Sequence, residues 1–283
     1  MKEIEFEVLG RRLTALRSGE PGQPRLLALH GWLDNAASFE PLAQLLPDVE
    51  IVALDMAGHG QSAHRSADGE YNIWSDLPDI QGVADQLGWD SFFLAGHSRG
   101  AVVASLFASA LPERVQHLFL LDGLPAQPAD PLECNQQLAK FLHDKARLLD
   151  RQSRVFTSQQ DAIAVRIAKG LLPEAASLIA TRNLRPVESG WCWSTDARLQ
   201  GASALKLTAA HIDSVLTGLS MPVLLLLAEQ GLDKEMAYTS STATMPATIE
   251  VEHVRGGHHC HMDESVEEVA AFLRGRIFLE RSA

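Results

Sequence analysis

Short apolar runs recur along the chain, and between them lie stretches whose apolar residues repeat at helical spacing. Residues 4–8 and 13–16 read as an opening hairpin. Four runs follow, at 25–29, 51–54, 91–95 and 115–121, and two more come late, at 223–228 and 249–254. Apolar residues fill nearly every position of these runs, and Gly and Pro flank them, which predicts strands buried on both faces. Helical spacing covers 73–87, with Pro78 marking the first turn, and 100–111, which stops before Pro112; 266–273 reads as a closing helix. Strands alternating with helices imply an α/β fold with a mostly parallel central sheet covered on both sides.

One segment breaks this rhythm. From Pro125 to about Thr217 the chain opens with three prolines and then turns polar and helical, at 134–150, 158–169 and 174–181, with no convincing buried strand. The expectation is a helical cap inserted after the sixth strand. The core would then be residues 1–124 and 218–283, and the cap or lid 125–217. Replacing the insertion by a short linker should change substrate chain-length preference more than melting temperature. Phe141, Phe156, Trp191 and Trp193 offer an apolar wall for a pocket, or packing within the cap.

Composition narrows the possible partners. With 283 residues and 46% hydrophobic content the chain can bury one large core. Its net charge of -12 repels phosphate backbones and anionic membranes, so no nucleic-acid or membrane partner is expected. The 3 cysteines, Cys134, Cys192 and Cys260, form no CxxC pair, which predicts neither a disulfide framework nor a structural zinc site. Residues 1–7 carry acids where a secretory signal carries bases, and the cytoplasm is the expected location.

The chemistry concentrates at three places. Gly96-His97-Ser98-Arg99-Gly100 matches Gly-x-Ser-x-Gly between a predicted strand and a predicted helix, a setting that exposes a serine hydroxyl on a strained turn. An alkoxide from Ser98 attacking a carbonyl needs donors for the developing oxyanion. The backbone N–H of Arg99, at a helix N-terminus, is one candidate. The backbone N–H of Trp32, in the His30-Gly31-Trp32 turn after the strand 25–29, is the other, with His30 expected to order that loop. The third place is Arg255-Gly256-Gly257-His258-His259-Cys260-His261. Its histidine spacings define no ligand face and no matching partner motif is evident, so no metal is expected.

Three segments together resemble the α/β-hydrolase superfamily, and within it the serine-hydrolase-like proteins: 29–35 with Ser38-Phe39, Leu54-Asp55-Met56-Ala57-Gly58-His59-Gly60-Gln61-Ser62, and Gly96-His97-Ser98. The resemblance implies a cofactor-free Ser-His-acid hydrolase with a helical cap. By likeness to the superfamily's Gly-His turn, His258 is the general base, His259 comes second, and His261 caps or packs. The acid departs from the common pattern. It is expected after the strand 223–228, where this chain has Glu229-Gln230-Gly231, with Asp233 two residues beyond. A second arrangement in the superfamily, seen in haloalkane dehalogenases, places the acid after the preceding strand, here at Asp122. Asp122 is favoured over Asp233, and Asp55 is expected to be structural.

The expected activity is that of a carboxylesterase-like serine hydrolase (EC 3.1.1) acting on a small, apolar acyl substrate through an acyl-enzyme. A serine nucleophile argues against dehalogenase or epoxide hydrolase chemistry, which attacks through an aspartate. The alternatives are a ligand-binding homologue without turnover, or perhydrolase or lyase chemistry on the same residues. Oligomeric state is not encoded in any pattern found.

Overall fold

Alternate residues of the central strands point to opposite faces, and each face finds its own core. Leu27, Leu29, Leu94, Leu118, Leu120, Leu225 and Leu227 belong to one buried cluster, and Leu26, Ala28, Phe93, Ala95, Phe119, Leu121, Leu224 and Leu226 to the other. This is why the apolar runs are continuous rather than alternating. A computed structural model describes residues 1–124, 128–149, 151, 153–232 and 246–279. Eight strands form one sheet in the order β1-β2-β4-β3-β5-β6-β10-β11. They are β1 Lys2–Val8, β2 Arg11–Ser18, β3 Arg25–Leu29, β4 Glu50–Leu54, β5 Phe92–His97, β6 Val115–Leu121, β10 Val223–Gln230 and β11 Ile249–Gly257. The β1–β2 and β2–β4 pairs are antiparallel and the others parallel.

Helices cover both faces. α2 (Leu77–Gln86) and α3 (Arg99–Ala110) bury Ile80, Val83, Val103 and Phe107 against the first cluster. α1 (Glu40–Leu45) and α8 (Val266–Leu279) bury Leu42, Val269, Leu273 and Ile277 against the second. A 3₁₀ turn at Ile73–Asp76 leads into α2, with Pro78 in its first turn, as the proline suggests. α8 runs six residues past the expected end, and the six-residue α1 lies in a stretch where the sequence predicted no helix.

The segment between β6 and β10 stands apart from the sheet. It carries α4 (Cys134–Leu149), α5 (Gln159–Ile167), α6 (Pro173–Arg182) and α7 (Ala209–Thr217). The purely helical expectation needs one correction. β7 (Val155–Phe156), β8 (Leu184–Val187) and β9 (Gly190–Trp193) form a small antiparallel sheet in the order β7-β9-β8. Phe156, Trp191 and Trp193 pack together there with Ala162 and Leu184 as the segment's own core. Among the described residues no helix is long and apolar enough to cross a membrane.

Candidate active site

The C-terminal ends of β3, β5, β6 and β10 lie side by side, and the loops leaving them carry the residues singled out by sequence. Ser98 sits between β5 and α3 with φ 52 and ψ -118, backbone values that a side chain-bearing residue holds only when its surroundings force them. The surroundings here are tight. A Cβ on Gly96 would lie 2.4 Å from the Gly100 carbonyl oxygen, and one on Gly100 would lie 2.2 Å from the Leu29 carbonyl oxygen. The Ser98 N–H donates to the Leu121 carbonyl at 3.0 Å, tying the turn to the end of β6.

The same packing brings the loop after β3 against the N-terminus of α3. The backbone N–H groups of Trp32 and Arg99 make no hydrogen bond among the described residues. His30 orders that loop as a neutral ring: Nδ1–H donates to the Gly31 carbonyl at 2.7 Å, and Nε2 accepts from the Met56 N–H at 3.1 Å. Asp55 is fully buried and accepts from Thr14, Ala36 and Gln61.

Asp122 follows β6 directly, with φ 43. Its carboxylate is fully buried. Oδ1 accepts from the Ala228 N–H at 2.9 Å, and Oδ2 accepts from the Leu232 N–H at 3.0 Å and from His258 Nδ1 at 2.6 Å. His258 follows β11, and its side chain is 29% exposed. Gly231 explains itself against this carboxylate: a Cβ there would lie 2.2 Å from Asp122 Oδ2. Asp233 lies outside the described residues. Among the described residues no hydrogen bond joins the Ser98 hydroxyl to His258, a contact that commonly tightens only with substrate in place.

His259 turns away from Asp122. Its Nε2 lies 3.1 Å from Asp34 Oδ2. Burial acts to lower its pKa, but the hydrogen bond and charge of Asp34 outweigh burial and raise it. Burial likewise acts to raise the Asp34 pKa, and the His259 bond and charge outweigh it, lowering Asp34 to about 2. His97 Nε2–H donates to the His258 carbonyl at 2.8 Å, and its Nδ1 lies 3.8 Å from Asp34 Oδ2. Asp34, His97 and His259 thus bring three metal-capable atoms within 4.8 Å of one another. Asp34 and His97 were visible only as members of motifs, and no sequence signal joined them to His259. His261 is fully buried, packed on Phe39 and His97 at ring distances of 5.0 and 4.2 Å, and burial lowers its pKa to about 3.

Known proteins share this architecture. The profile of the alpha/beta hydrolase fold family matches residues 24–264. A serine hydrolase-like protein of Danio rerio is 31% identical, covering 88% of this chain and 80% of that one. Serine hydrolase-like protein 2 of Homo sapiens is 31% identical, covering 96% and 93%. Among solved structures, the selenomethionine-substituted hypothetical protein PA1622 from Pseudomonas aeruginosa PAO1 superposes with a TM-score of 0.93 at 39% identity, covering 99% of this chain and 100% of that one. A thioesterase domain from the curacin biosynthetic pathway reaches 0.86 at 26% identity, covering 97% and 99%.

Proposed function

The chain belongs to the α/β-hydrolase fold family, among its serine-hydrolase-like members, and from that premise we propose that it is a serine hydrolase cleaving an ester or related carbonyl compound through an acyl-enzyme. The observation that carries the reading is the 2.6 Å contact between Asp122 and His258 Nδ1, beside a serine held at φ 52. With Nδ1–H given to the carboxylate, the Nε2 lone pair is the basic one, and it can take the Ser98 proton as Oγ bonds to the carbonyl carbon. The buried Asp122 charge then stabilises the imidazolium. The carbonyl electron pair moves onto oxygen, where the Trp32 and Arg99 N–H groups supply donors at the start of α3. When the tetrahedral intermediate collapses, His258 returns the proton to the leaving group. Water repeats the sequence on the acyl-enzyme and releases the acid.

The segment 125–217 is assigned the part of a cap over the site that shapes an apolar acyl pocket. The test combines two measurements. A fluorophosphonate should label wild-type protein at Ser98 and leave Ser98→Ala unlabelled. An ester panel of graded chain length should show turnover that falls by roughly three or more orders of magnitude in Ser98→Ala with folding intact. Labelling of Ser98 without turnover of any ester would favour a binding protein, and full turnover by Ser98→Ala would sink the mechanism.

A further inference from the structure

The back wall of this site contains an electrostatic mismatch. His97 is fully buried, and its Nε2 lies 2.8 Å from the His258 carbonyl oxygen, a contact that requires the proton on Nε2. Nδ1 therefore carries a lone pair. Among the described residues it has no hydrogen-bond partner, and it faces Asp34 Oδ2 across 3.8 Å. A lone pair and a carboxylate oxygen facing each other in a buried place repel unless a cation lies between them. The other tautomer would set a lone pair against the His258 carbonyl at 2.8 Å, which is worse.

The surroundings fit a cation. His259 Nε2 approaches the same Asp34 oxygen at 3.1 Å. The other oxygen, Oδ1, faces the Arg166 guanidinium at 4.0 Å, which leaves Oδ2 for the shared position. Gly31 keeps the space open: a Cβ there would come within 2.8 Å of His97 Nδ1 and 2.9 Å of Asp34 Oδ2. Metal bonds of about 2.0–2.2 Å in a tetrahedral site put ligand atoms about 3.4 Å apart. The separations found, 3.1 and 3.8 Å with the third within 4.8 Å, need only a small contraction. His97 also has its outer support in place, since its other N–H is already held by a backbone carbonyl.

We propose that Asp34, His97 and His259 form an inhibitory site for one divalent transition-metal ion of the zinc, nickel or copper class. Two imidazoles and one carboxylate suit those ions and leave a coordination position for water. Sequence spacing gave His259 no partners, but the fold supplies them from the loop after β3 and from the residue before the nucleophile. The ion takes the place of the proton between His259 Nε2 and Asp34 Oδ2, so protons compete with it for the site. The inhibitory half rests on the hydrolase reading above. The ion's charge reaches His258 through His97, whose ring centre is 4.6 Å away, and opposes the imidazolium that forms when His258 takes the Ser98 proton.

Chelator-stripped full-length protein is titrated with Zn²⁺ by calorimetry, and with Co²⁺ while its ligand-field absorption is followed. One ion per chain should bind saturably, with a tetrahedral Co²⁺ band. Asp34→Asn and His259→Gln, each checked for native circular dichroism, should each weaken uptake by about 100-fold. Ester turnover by wild type should fall over the concentration range in which Zn²⁺ binds. Lack of saturable uptake by wild type overturns the site without touching the serine mechanism, and no variant is needed to see it. Uptake unchanged in both variants overturns it too, since exposed histidines would then hold the ion. Saturation of the site with turnover unchanged overturns the inhibitory assignment.

Discussion

The Asp122 carboxylate occupies the space that a side chain at position 231 would need, so acid and glycine form one device. Substituting either should damage the site in its own way. In Asp122→Asn one amide group must face the N–H of Ala228, of Leu232 or of His258, all of which the carboxylate now accepts. The imidazole loses its charge partner and its fixed tautomer, and kcat should fall by about four orders of magnitude. The variant should also lose about 1–3 kcal/mol of stability for the unsatisfied buried donor. Gly231→Ala keeps every reacting group but pushes the carboxylate off Nδ1, and kcat/KM should drop about 100-fold. Steady-state kinetics and urea denaturation check both variants, and an undisturbed rate in Gly231→Ala would contradict the coupling. The sequence shows the glycine as a missing acid. It cannot show that the glycine is required by the acid's neighbour, because that rests on a contact between ends of adjacent strands more than a hundred residues apart.

Elements were legible where their burial repeats. Strands β3 and β6 match their apolar runs end to end, because inner strands of a covered sheet need apolar residues on both faces. The turn between β5 and α3 was legible because strand, Gly-x-Ser-x-Gly and small-residue helix are contiguous. The small sheet of the inserted segment was not: its strands have 2, 4 and 4 residues, and one holds Pro186, which argues against a strand by its usual signals. How the segment attaches was equally hidden. Asn35 Nδ2 donates to the Ile179 carbonyl at 2.8 Å, the Gly60 N–H to Asn183 Oδ1 at 3.0 Å, and Tyr71 to Asp196 at 2.7 Å. Arg182 reaches the fully buried Asp55 at 2.8 Å. These bonds tie the insertion to the core, so its replacement by a linker carries a cost in melting temperature to set beside the expected larger change in chain-length preference. Arg182→Ala alone leaves the buried Asp55 charge without its cation and should cost about 3 kcal/mol in urea denaturation. Replacement of 125–217 by a linker should cost more than that. A linker variant as stable as wild type would show that the segment is held only at its ends.

Taken as a whole, the molecule buries histidines as neutral rings, and that sets its response to acid. His30 and His59 are the clearest pair, with ring centres 4.8 Å apart. Each gives a proton from Nδ1, to the Gly31 and Ala57 carbonyls, and each accepts a backbone N–H at Nε2, from Met56 and Leu33. Protonating either ring would set N–H against N–H, and burial lowers both pKa values, that of His59 strongly. The unfolded chain takes up protons at these residues near the ordinary histidine pKa, and the folded chain does not. Below about pH 6.5 the unfolded state therefore binds more protons, and stability falls with pH. Lowering the pH through roughly 6.5 to 5.5 should cost stability at both residues. His97 and His261, also lowered by burial, act in the same sense. His259 acts oppositely: its raised pKa gives stability that is full below the ordinary histidine value and is lost as pH rises through its folded value. Its partner Asp34, lowered to about 2, loses its contribution only as pH falls towards that value. Urea denaturation across this range should show the net loss. Long-range proton–nitrogen spectra should show the Nδ1–H tautomer of His30 and His59 persisting below the pH at which an ordinary histidine is protonated. A ring that titrates near its ordinary pKa while the protein stays folded would show that its Nε2 does not hold the backbone N–H assigned to it.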